Sequence, residues 1–491
     1  MTNNSRFDWR GLLLAAGLAL AGAGAFQGTR GIYETTEGRY AECARETMLS
    51  GKLSRPVLDG QPHWTKPPLT YLAIMGGMRI FGQNPWGVRA YLVVAMVLAT
   101  GAVWLAGSSI WGRGAGRWAG VVFATSPYVV AGAAHVASAD LLAALWVAWA
   151  FALFWYARAC RSVPAVLGMW ICLGLGMLTK GPPALLVPAV SLPAAWLFLR
   201  RDPGWRPPRW AVWAGLALFA LVGLGWYAAE AARVPGLLRY WIGDELVGRN
   251  LQGEFKRNAG FHYVFSIYLP VILLGTGPWL WIVLGKFRWL KPWRREAGGD
   301  LRRERGAWHS LAAGAGVSLI VFFISTSKMP LYLVPLFVPL SLILGRLLDV
   351  LVSGGGLRAR TGGIVAGVLL VLVIGGKGIA GALDHRRDMT RLASALAPAL
   401  AREPVGNLYT VSGRPLHGLE FHLARTVEFT PRAKLAAHLA AHAPAGYVIK
   451  RRDWEQFGMP LPDSWRTESL GRHWLLLRTA PDRSRSAAPG P

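Results

Sequence analysis

Residues 88–110 read VRAYLVVAMVLATGAVWLAGSSI, an apolar run with a single charged residue, Arg89, near its start. A helix needs about 20 mostly apolar residues to cross a bilayer, so this run is long enough to form a span. Arg113 and Arg117 follow directly, before the next apolar run. The chain is 53% hydrophobic and 16% charged, whereas soluble domains carry about 25% charged residues. This alternation of apolar runs and short basic clusters predicts a polytopic membrane protein.

The pattern recurs over the first 383 residues and predicts about eleven transmembrane helices. The Ala- and Gly-rich run near the N-terminus resembles a signal peptide, but it has no convincing cleavage site, so we interpret it as a retained first span. The predicted spans lie at approximately 9–27, 88–110, 116–135, 139–158, 163–179, 181–199, 209–229, 262–285, 308–326, 330–350 and 363–383.

The basic residues of the short loops predict the orientation, because cytoplasmic loops carry an excess of Lys and Arg. With the N-terminus in the cytoplasm, every basic cluster in a short loop falls on the cytoplasmic side. These loops are 111–117, 158–162, 200–208, 286–307 and 351–362. The loops 28–87 and 230–261 and the region after 383 then face outward, and we expect a multi-pass protein of the bacterial inner membrane with a periplasmic active site.

The net charge of +27 does not indicate nucleic-acid binding. Much of it lies in the short loops, where it sets orientation and meets anionic membrane lipids. The basic C-terminal region contains no nucleic-acid motif. Cys43, Cys160 and Cys172 have neither the spacing of a metal site nor that of a disulfide framework.

The region after 383 is the only sizeable polar part of the sequence. Gly406–Val411 and Tyr447–Lys450 are predicted strands, and Arg432–Ala441 is a predicted helix. We therefore expect an all-α transmembrane domain over 1–383, a small periplasmic α/β domain over 384–480 and a disordered tail over 481–491.

The first outer loop contains two acidic residues, Glu34 and Glu37, at the start of a predicted helix over 36–49, with Thr36 as its expected N-cap. A helix N-terminus favours negative charge, so an ordinary acidic first turn explains both residues as well as a catalytic role does. Farther along the loop, Lys66 precedes Pro67 at the expected membrane surface. An ammonium there suits the phosphate of a lipid-linked donor, or equally a bulk lipid headgroup.

Charged residues also mark the outer ends of the spans. Asp140 opens the fourth span, where it is the expected N-cap, and a carboxylate at a membrane boundary is costly without a partner or a role. Lys180 joins two apolar segments, where a snorkelling lysine is the simpler interpretation. Further basic residues that face outward are Arg39, Arg89, Arg249 and Lys328. Acids and bases on one membrane face suit transfer from an anionic lipid donor.

An ordered set of motifs resembles one family. In order along the chain they are Glu-Gly-Arg-Tyr-Ala-Glu at 37–42, Lys66-Pro67, Phe81-Gly82 with Trp86 and Arg89, Asp140, Leu178-Thr179-Lys180-Gly181, Asp244-Glu245 with Arg249, Pro278-Trp279, and Ser327-Lys328-Met329-Pro330-Leu331-Tyr332 with Pro335. Together they resemble the bacterial branch of the protein O-mannosyltransferase and lipid A aminoarabinose transferase superfamily, which are integral-membrane glycosyltransferases of the GT-C class.

The resemblance implies inverting transfer of a sugar from a polyprenyl-phosphate donor to a lipid, glycan or protein acceptor. A carboxylate of the first outer loop is then the expected catalytic group, and Glu34 stands at that position, where many relatives have Asp. Glu37 and Asp140 would place acceptor or donor. Lys66, Lys180, Arg249 and Lys328 would hold the leaving phosphate. The further expected site residues are Arg39, Tyr71, Arg89 and Glu245.

Two departures from the aminoarabinose transferases concern a metal. Those enzymes usually carry Glu before the Lys-Pro pair, where this chain has Thr65, and tend to have His where Leu246 follows Glu245. Both positions bear on metal binding in the relatives, so no metal site of that kind is expected here. The superfamily includes metal-assisted and metal-independent transferases, and the sequence leaves a divalent cation open.

A transporter or flippase for lipid-linked sugars is the main alternative to an enzyme. Such a protein also has many spans and charged residues near the membrane. However, the sequence shows no internal repeat, and its charged residues gather at one face rather than at the bilayer midplane. These features favour the glycosyltransferase.

The sequence leaves the class of acceptor open. A hydroxyl acceptor would need a general base to remove its proton, whereas a lipid phosphate that is already ionised would not.

Overall fold

The computed structural model describes residues 8–199, 205–252, 258–290, 301–441 and 445–479. It consists of a helical bundle that ends at Ala382 and a C-terminal α/β domain that begins at Met389. This is the predicted fold class. The predicted tail 481–491 and parts of the basic loops 200–208 and 286–307 lie outside the described residues.

The first part of the bundle contains the long outer loop. Its elements, in chain order, are α1 (Trp9–Gly24), α2 (Thr36–Ser50), β1 (Val57–Leu58), β2 (Gln61–Pro62), α3 (Leu69–Phe81) and α4 (Pro85–Trp111). The side chain of Asn84 caps α4 by accepting from Gly87 N at 2.9 Å, and Pro85 occupies its first turn. The N-cap of α2 is Thr35, which makes no side-chain capping bond, so the prediction of Thr36 was wrong by one residue.

The rest of the bundle alternates long helices with short irregular turns. Its helices are α5 (Arg113–Thr125), α6 (Ala139–Cys160), α7 (Val163–Lys180), α8 (Leu186–Leu199), α9 (Arg209–Phe219), α10 (Gly225–Arg233), α11 (Leu237–Arg239), α12 (Leu269–Gly275), α13 (Pro278–Gly285), α14 (Leu301–Ile324), α15 (Phe337–Ser353) and α16 (Ala359–Ala382). Turns of π-helix occupy Tyr128–Ala133, Ala220–Leu224, Tyr240–Gln252 and Val264–Tyr268, and 3₁₀ turns occupy Pro182–Leu185, Phe287–Leu290 and Pro330–Leu336.

Among the described residues, eight helices are long and apolar enough to cross a membrane, and a bent pair makes a ninth. The bent pair joins Val264–Gly275 to Pro278–Gly285 at 76°, where Gly277 has φ 62° and Pro278 starts a new helix. The apolar helix α1 has 16 residues and α5 has 13, so they fall short of that length. The predicted count of eleven spans is therefore not confirmed.

Ion pairs join described residues in or beside several of the basic loops at one end of the bundle. There Arg117 pairs with Asp8 at 3.0 Å, and Arg346 pairs with Glu304 at 3.0 Å and Asp349 at 3.3 Å. The long first loop, the start of α6 and the end of α7 all lie at the other end. The arrangement agrees with the alternation that the basic loops predict.

The C-terminal domain is a mixed sheet with helices on both faces. Its elements are α17 (Met389–Arg402), β3 (Asn407–Val411), α18 (His417–Leu423), β4 (Glu428–Thr430), a 3₁₀ turn at Arg432–Lys434, α19 (Leu435–Ala441), β5 (Ala445–Lys450), α20 (Arg451–Phe457), β6 (Trp465–Leu470) and β7 (Trp474–Thr479). The strand order is β4-β3-β5-β7-β6, with β4, β3 and β5 parallel and the last two pairings antiparallel. Alternate residues of β5 face two apolar clusters: Val448 packs with Leu396 of α17, and Tyr447 packs with Leu435 of α19.

The C-terminal domain is tied to the start of the first outer loop by backbone hydrogen bonds. Glu34 N donates to the Arg387 carbonyl oxygen at 3.0 Å, and Met389 N donates to that of Ile32 at 2.9 Å. The backbone N–H of Gly418, in α18, donates to the Glu34 carboxylate. Glu34 is consequently covered by the C-terminal domain.

Candidate active site

Glu37 lies at the centre of a saturated, buried network. Its Oε1 accepts from Arg89 Nε at 2.7 Å and from Ala137 N at 2.9 Å. Its Oε2 accepts from Arg30 Nη2 at 2.8 Å, from Arg89 Nη2 at 2.9 Å and from Tyr33 N at 3.2 Å. Burial opposes ionisation, but Arg30 and Arg89 outweigh it and lower the pKa of Glu37 to about 2. This carboxylate ties the first loop to α4 and to the start of α6.

Arg89 completes this network from α4. Its side chain is fully buried, and it donates to the carbonyl oxygens of Gln27 at 3.0 Å, Arg30 at 2.6 Å and Gly31 at 2.8 Å. A charge at this depth is tolerated because each guanidinium nitrogen donates to an oxygen acceptor. Arg89 therefore positions the loop in this structure. Arg30, which the sequence did not single out, has the same function.

Glu34 differs sharply from Glu37. Its side chain is 7% exposed, its Oε1 accepts from Gly418 N, and its Oε2 has no hydrogen-bond partner among the described residues. Burial raises the pKa of Glu34 to about 7, against the opposing effects of the Gly418 N–H, His417, Arg414 and Arg39. An under-coordinated carboxylate of this kind can exchange a proton near neutral pH.

Asp140 and Lys180 meet at the outer ends of α6 and α7. The Lys180 ammonium donates to Asp140 Oδ1, and both side chains are largely buried. The ammonium also lies 4.9 Å from the ring centroid of Tyr332, within cation–π range. The cap of α6 is Ser138, whose side chain accepts from Asp140 N at 3.3 Å, so the prediction of Asp140 as N-cap was wrong. The carboxylate of Asp140 is thereby left for Lys180.

Tyr40 and Arg39, on α2, connect the two carboxylate regions. Burial raises the pKa of the Tyr40 hydroxyl, Arg39 opposes this, and the charge of Asp140 adds to it. Arg39 is half-buried and lies close enough to Glu34 to lower its pKa. The ring of Tyr71, from α3, lies 5.4 Å from that of Tyr40. The structure thus brings Arg39 and Tyr71, both predicted site residues, close to Tyr40.

The remaining predicted site residues are more dispersed. Lys66 is half-buried and close enough to His63 for its charge to act on that ring. Lys328 is buried and donates to the carbonyl oxygens of Ala259 at 3.1 Å and Ser325 at 2.7 Å. Glu245 accepts from the Tyr240 hydroxyl at 3.3 Å. The side chain of Arg249 lies outside the described part of the structure.

Metal-ligating side chains come together away from the Asp140–Lys180 pair. Among the described residues, the one group of three such side chains is Asp59, His417 and Glu420. It lies at the contact between the first outer loop and the C-terminal domain. The sequence analysis missed these three residues, although Asp59-Gly60 is a common hairpin turn and the i, i+3 spacing of the other two places them on one helical face.

Comparison with known proteins finds relatives of the kind that the ordered motifs resemble. A family described as dolichyl-phosphate-mannose-protein mannosyltransferase matches residues 65–227. An undecaprenyl phosphate-alpha-4-amino-4-deoxy-L-arabinose arabinosyl transferase of Edwardsiella ictaluri is 29% identical over 360 residues, which is 70% of this chain and 61% of the relative. A second such transferase, from Sodalis glossinidius, is 30% identical over the same shares of both chains.

The fold agrees with these matches. The crystal structure of ArnT from Cupriavidus metallidurans bound to undecaprenyl phosphate has a TM-score of 0.72 at 18% identity, covering 97% of this chain and 99% of that one. These comparisons bear out the resemblance to the GT-C superfamily that contains the protein O-mannosyltransferases and the lipid A aminoarabinose transferases. The apo oligosaccharyltransferase of Archaeoglobus fulgidus is a more distant GT-C neighbour, with a TM-score of 0.54 at 12% identity over 87% of this chain and 64% of that one.

The resemblance to the GT-C superfamily agrees with the predicted polytopic membrane protein. The chain spans 61% of the length of the Edwardsiella and Sodalis relatives over the matched region. The matched family region, residues 65–227, includes both Asp140 and Lys180, whereas Glu34 and Glu37 precede it.

Proposed function

We propose that this chain is a glycosyltransferase that takes a sugar from a polyprenyl-phosphate donor at the periplasmic face of the bacterial inner membrane. The observation that supports this most is the Asp140–Lys180 pair at the outer ends of two spans. An ammonium and a carboxylate at the ends of two spans would be suited to meet the phosphate of a membrane-anchored donor. The ArnT neighbour was solved with undecaprenyl phosphate bound, which supports a donor of this class.

The leaving phosphate is proposed to bind at Lys180. A dianionic phosphate competes with Asp140 for the ammonium, and the ammonium stabilises the charge that develops on the phosphate as the glycosidic bond breaks. Lys66, Lys328 and Arg249 remain predicted phosphate ligands. In this structure Lys328 already donates to two carbonyl oxygens, so it would have to release them to reach a phosphate.

Glu34 is proposed to accept the proton of an acceptor hydroxyl. Its Oε2 atom is free of partners among the described residues, while its Oε1 is held by Gly418 N. The C-terminal domain, which supplies Gly418, would thereby orient the base. Glu37 is proposed to position the loop that carries Glu34, because both its oxygens are fully occupied by the network described above.

The acceptor is proposed only as a class: a lipid, a glycan or a protein at the periplasmic face. The relatives are named for transfer of 4-amino-4-deoxy-L-arabinose. Thr65 and Leu246 depart from the aminoarabinose pattern, so the sugar is not carried over to this chain. The transmembrane domain over 1–383 and the periplasmic domain over 384–480 are proposed to act as one unit, joined at Glu34.

Two measurements test this function. Mass spectrometry of lipids, surface glycans and proteins from a deletion strain should show one missing sugar and thereby name donor and acceptor. Vesicles that contain the purified chain and a radiolabelled polyprenyl-phosphate sugar should form a labelled product with an extract of the missing acceptor. Movement of the lipid-linked sugar across the vesicle membrane without any product would overturn the proposal in favour of a flippase.

A further inference from the structure

Three side chains from two separate parts of the chain converge near Glu34, and none of them has a part in the proposed transfer step. Asp59 lies in the first outer loop, and His417 and Glu420 lie on α18 of the C-terminal domain. One ligand atom from each lies within 4.8 Å of the other two. Asp59 is exposed, whereas His417 is 8% and Glu420 5% exposed, so the group is open to solvent on one side.

The loop side of this group is held by a tight hairpin. Asp59 and Gly60 connect β1 to β2, with φ of 55° and 71°, as a two-residue hairpin turn requires. The carboxylate of Glu46 accepts from Asp59 N at 3.2 Å and from Gly60 N at 2.9 Å, which fixes the turn against α2. These bonds therefore fix the backbone from which the Asp59 side chain extends.

The domain side is equally preorganised. His417 and Glu420 are one helical turn apart and share a face of α18. Glu420 Oε1 accepts from Val427 N at 2.9 Å, which orients the carboxylate. Its Oε2 is buried and has no hydrogen-bond partner among the described residues. A buried carboxylate oxygen is costly when it is left unsatisfied, so this atom points to a missing positive partner.

The spacing fits a small cation. His417 Nε2 lies 3.4 Å from Asp59 Oδ2, long for a hydrogen bond. In a tetrahedral site with bonds of about 2.0–2.2 Å, neighbouring ligand atoms lie about 3.3–3.6 Å apart. One imidazole and two carboxylates suit Zn²⁺ or a similar transition metal, whereas Mg²⁺ and Ca²⁺ prefer oxygen ligands alone. Two carboxylates and a neutral imidazole also balance the charge of a divalent ion.

We propose that Asp59, His417 and Glu420 bind a divalent transition-metal ion, with Zn²⁺ as the representative, and that this ion fastens the C-terminal domain to the first outer loop. The site differs from the positions of Thr65 and Leu246, where the sequence argues against a metal. Its function is structural: it holds α18, and with it Gly418, over Glu34.

The test is the binding of Zn²⁺ alone to the purified full-length chain without an affinity tag. After treatment with EDTA and dialysis, the wild-type protein should bind one Zn²⁺ per chain in excess of the variants, and Zn²⁺ should raise its midpoint of thermal unfolding. Asp59→Asn should weaken this binding at least about tenfold, since changes even to groups behind the direct ligands cost about 10- to 100-fold. Asn adopts the same left-handed turn conformation, so this variant keeps the hairpin.

A second variant and a matched control complete the experiment. Glu420→Gln should also abolish the rise in unfolding temperature on addition of Zn²⁺. His473→Gln is the matched control. His473 lies in the same domain and pairs with Asp384 at 3.6 Å, but it belongs to no group of three metal-ligating side chains among the described residues. Its replacement should therefore leave Zn²⁺ binding unchanged. If the wild-type chain binds no more Zn²⁺ than Asp59→Asn does, the site is an ordinary His–Asp ion pair and the proposal is wrong.

Discussion

Glu34 and Glu37 are three residues apart in the same outer loop, yet their surroundings are opposite. Glu37 accepts five hydrogen bonds, two of them part of a paired contact with Arg89, and its pKa falls to about 2. Glu34 accepts one from the residues that the structure describes, and its pKa rises to about 7. Burial acts on both, so the difference comes from the cations and donors around each. We therefore interpret the saturated Glu37 as a residue that holds the fold, and we propose the under-coordinated Glu34 for the chemistry.

The largest expected effect comes from breaking the saturated network. Arg89→Met leaves Glu37 with Arg30 as its remaining cation and leaves three backbone carbonyl oxygens without a donor. Removal of one partner from a buried ion pair costs about 3–5 kcal/mol, so the unfolding temperature in detergent should fall strongly. Arg79→Met, at an exposed position on α3, is the matched control and should change stability by less than about 0.5 kcal/mol. Equal shifts for the two variants would contradict a structural function of the network.

The second-largest effect is expected at the Asp140–Lys180 pair, where two variants distinguish a contribution to stability from a contribution to sugar transfer. Lys180→Met leaves Asp140 buried and unpaired, so stability and sugar transfer should both decrease. Adding Asp140→Asn removes the unpaired charge and should restore much of the stability. Transfer should stay about 10²- to 10³-fold below wild type, because the phosphate still lacks its cation.

Lys286→Met is the matched control for this pair, since Lys286 is exposed and follows α13 at the opposite end of the bundle. It should leave unfolding temperature and transfer unchanged. If the double variant recovered sugar transfer together with stability, the Asp140–Lys180 pair would contribute to stability only.

The smallest effect is expected where an ion pair is open to solvent. Arg117 pairs with Asp8 at 3.0 Å at the basic end of the bundle, and the Arg117 side chain is 49% exposed. Exposed pairs contribute about 0–1 kcal/mol, so Arg117→Gln should barely change thermal unfolding and should not change transfer. A fall in unfolding temperature as large as that of Arg89→Met would mean that burial does not explain why the Arg89 network contributes more to stability than the Arg117–Asp8 pair.

The bounds of three long spans were predictable because their apolar runs and end signals are local. The sequence placed α4, α6 and α7 within a few residues, and Asn84-Pro85 and Gly181 stand at their ends. The superfamily was also predictable from its ordered motifs. The N-cap of α6 could not be predicted, because Ser138 and Asp140 are both good capping residues and only the backbone geometry distinguishes them.

The assignment of contacts within the site required the structure. Glu37 and Arg89 are 52 residues apart, and Glu34 and Gly418 are 384 apart, so no local pattern connects them. On sequence alone both glutamates read as an acidic first turn. The contact between Asp59 and His417 likewise depends on how the C-terminal domain docks on the loop.

The most direct test of this account compares Glu34→Gln with Glu37→Gln by sugar transfer per folded molecule in vesicles. Glutamine at 34 keeps an acceptor for Gly418 N but cannot take up a proton, so that variant should fold normally and transfer about 10²- to 10⁴-fold more slowly if the acceptor is a hydroxyl. Glutamine at 37 weakens the network, so that variant should yield less folded protein whose individual molecules remain active. Full transfer by Glu34→Gln, together with inactive folded Glu37→Gln, would contradict the assignment of the two residues.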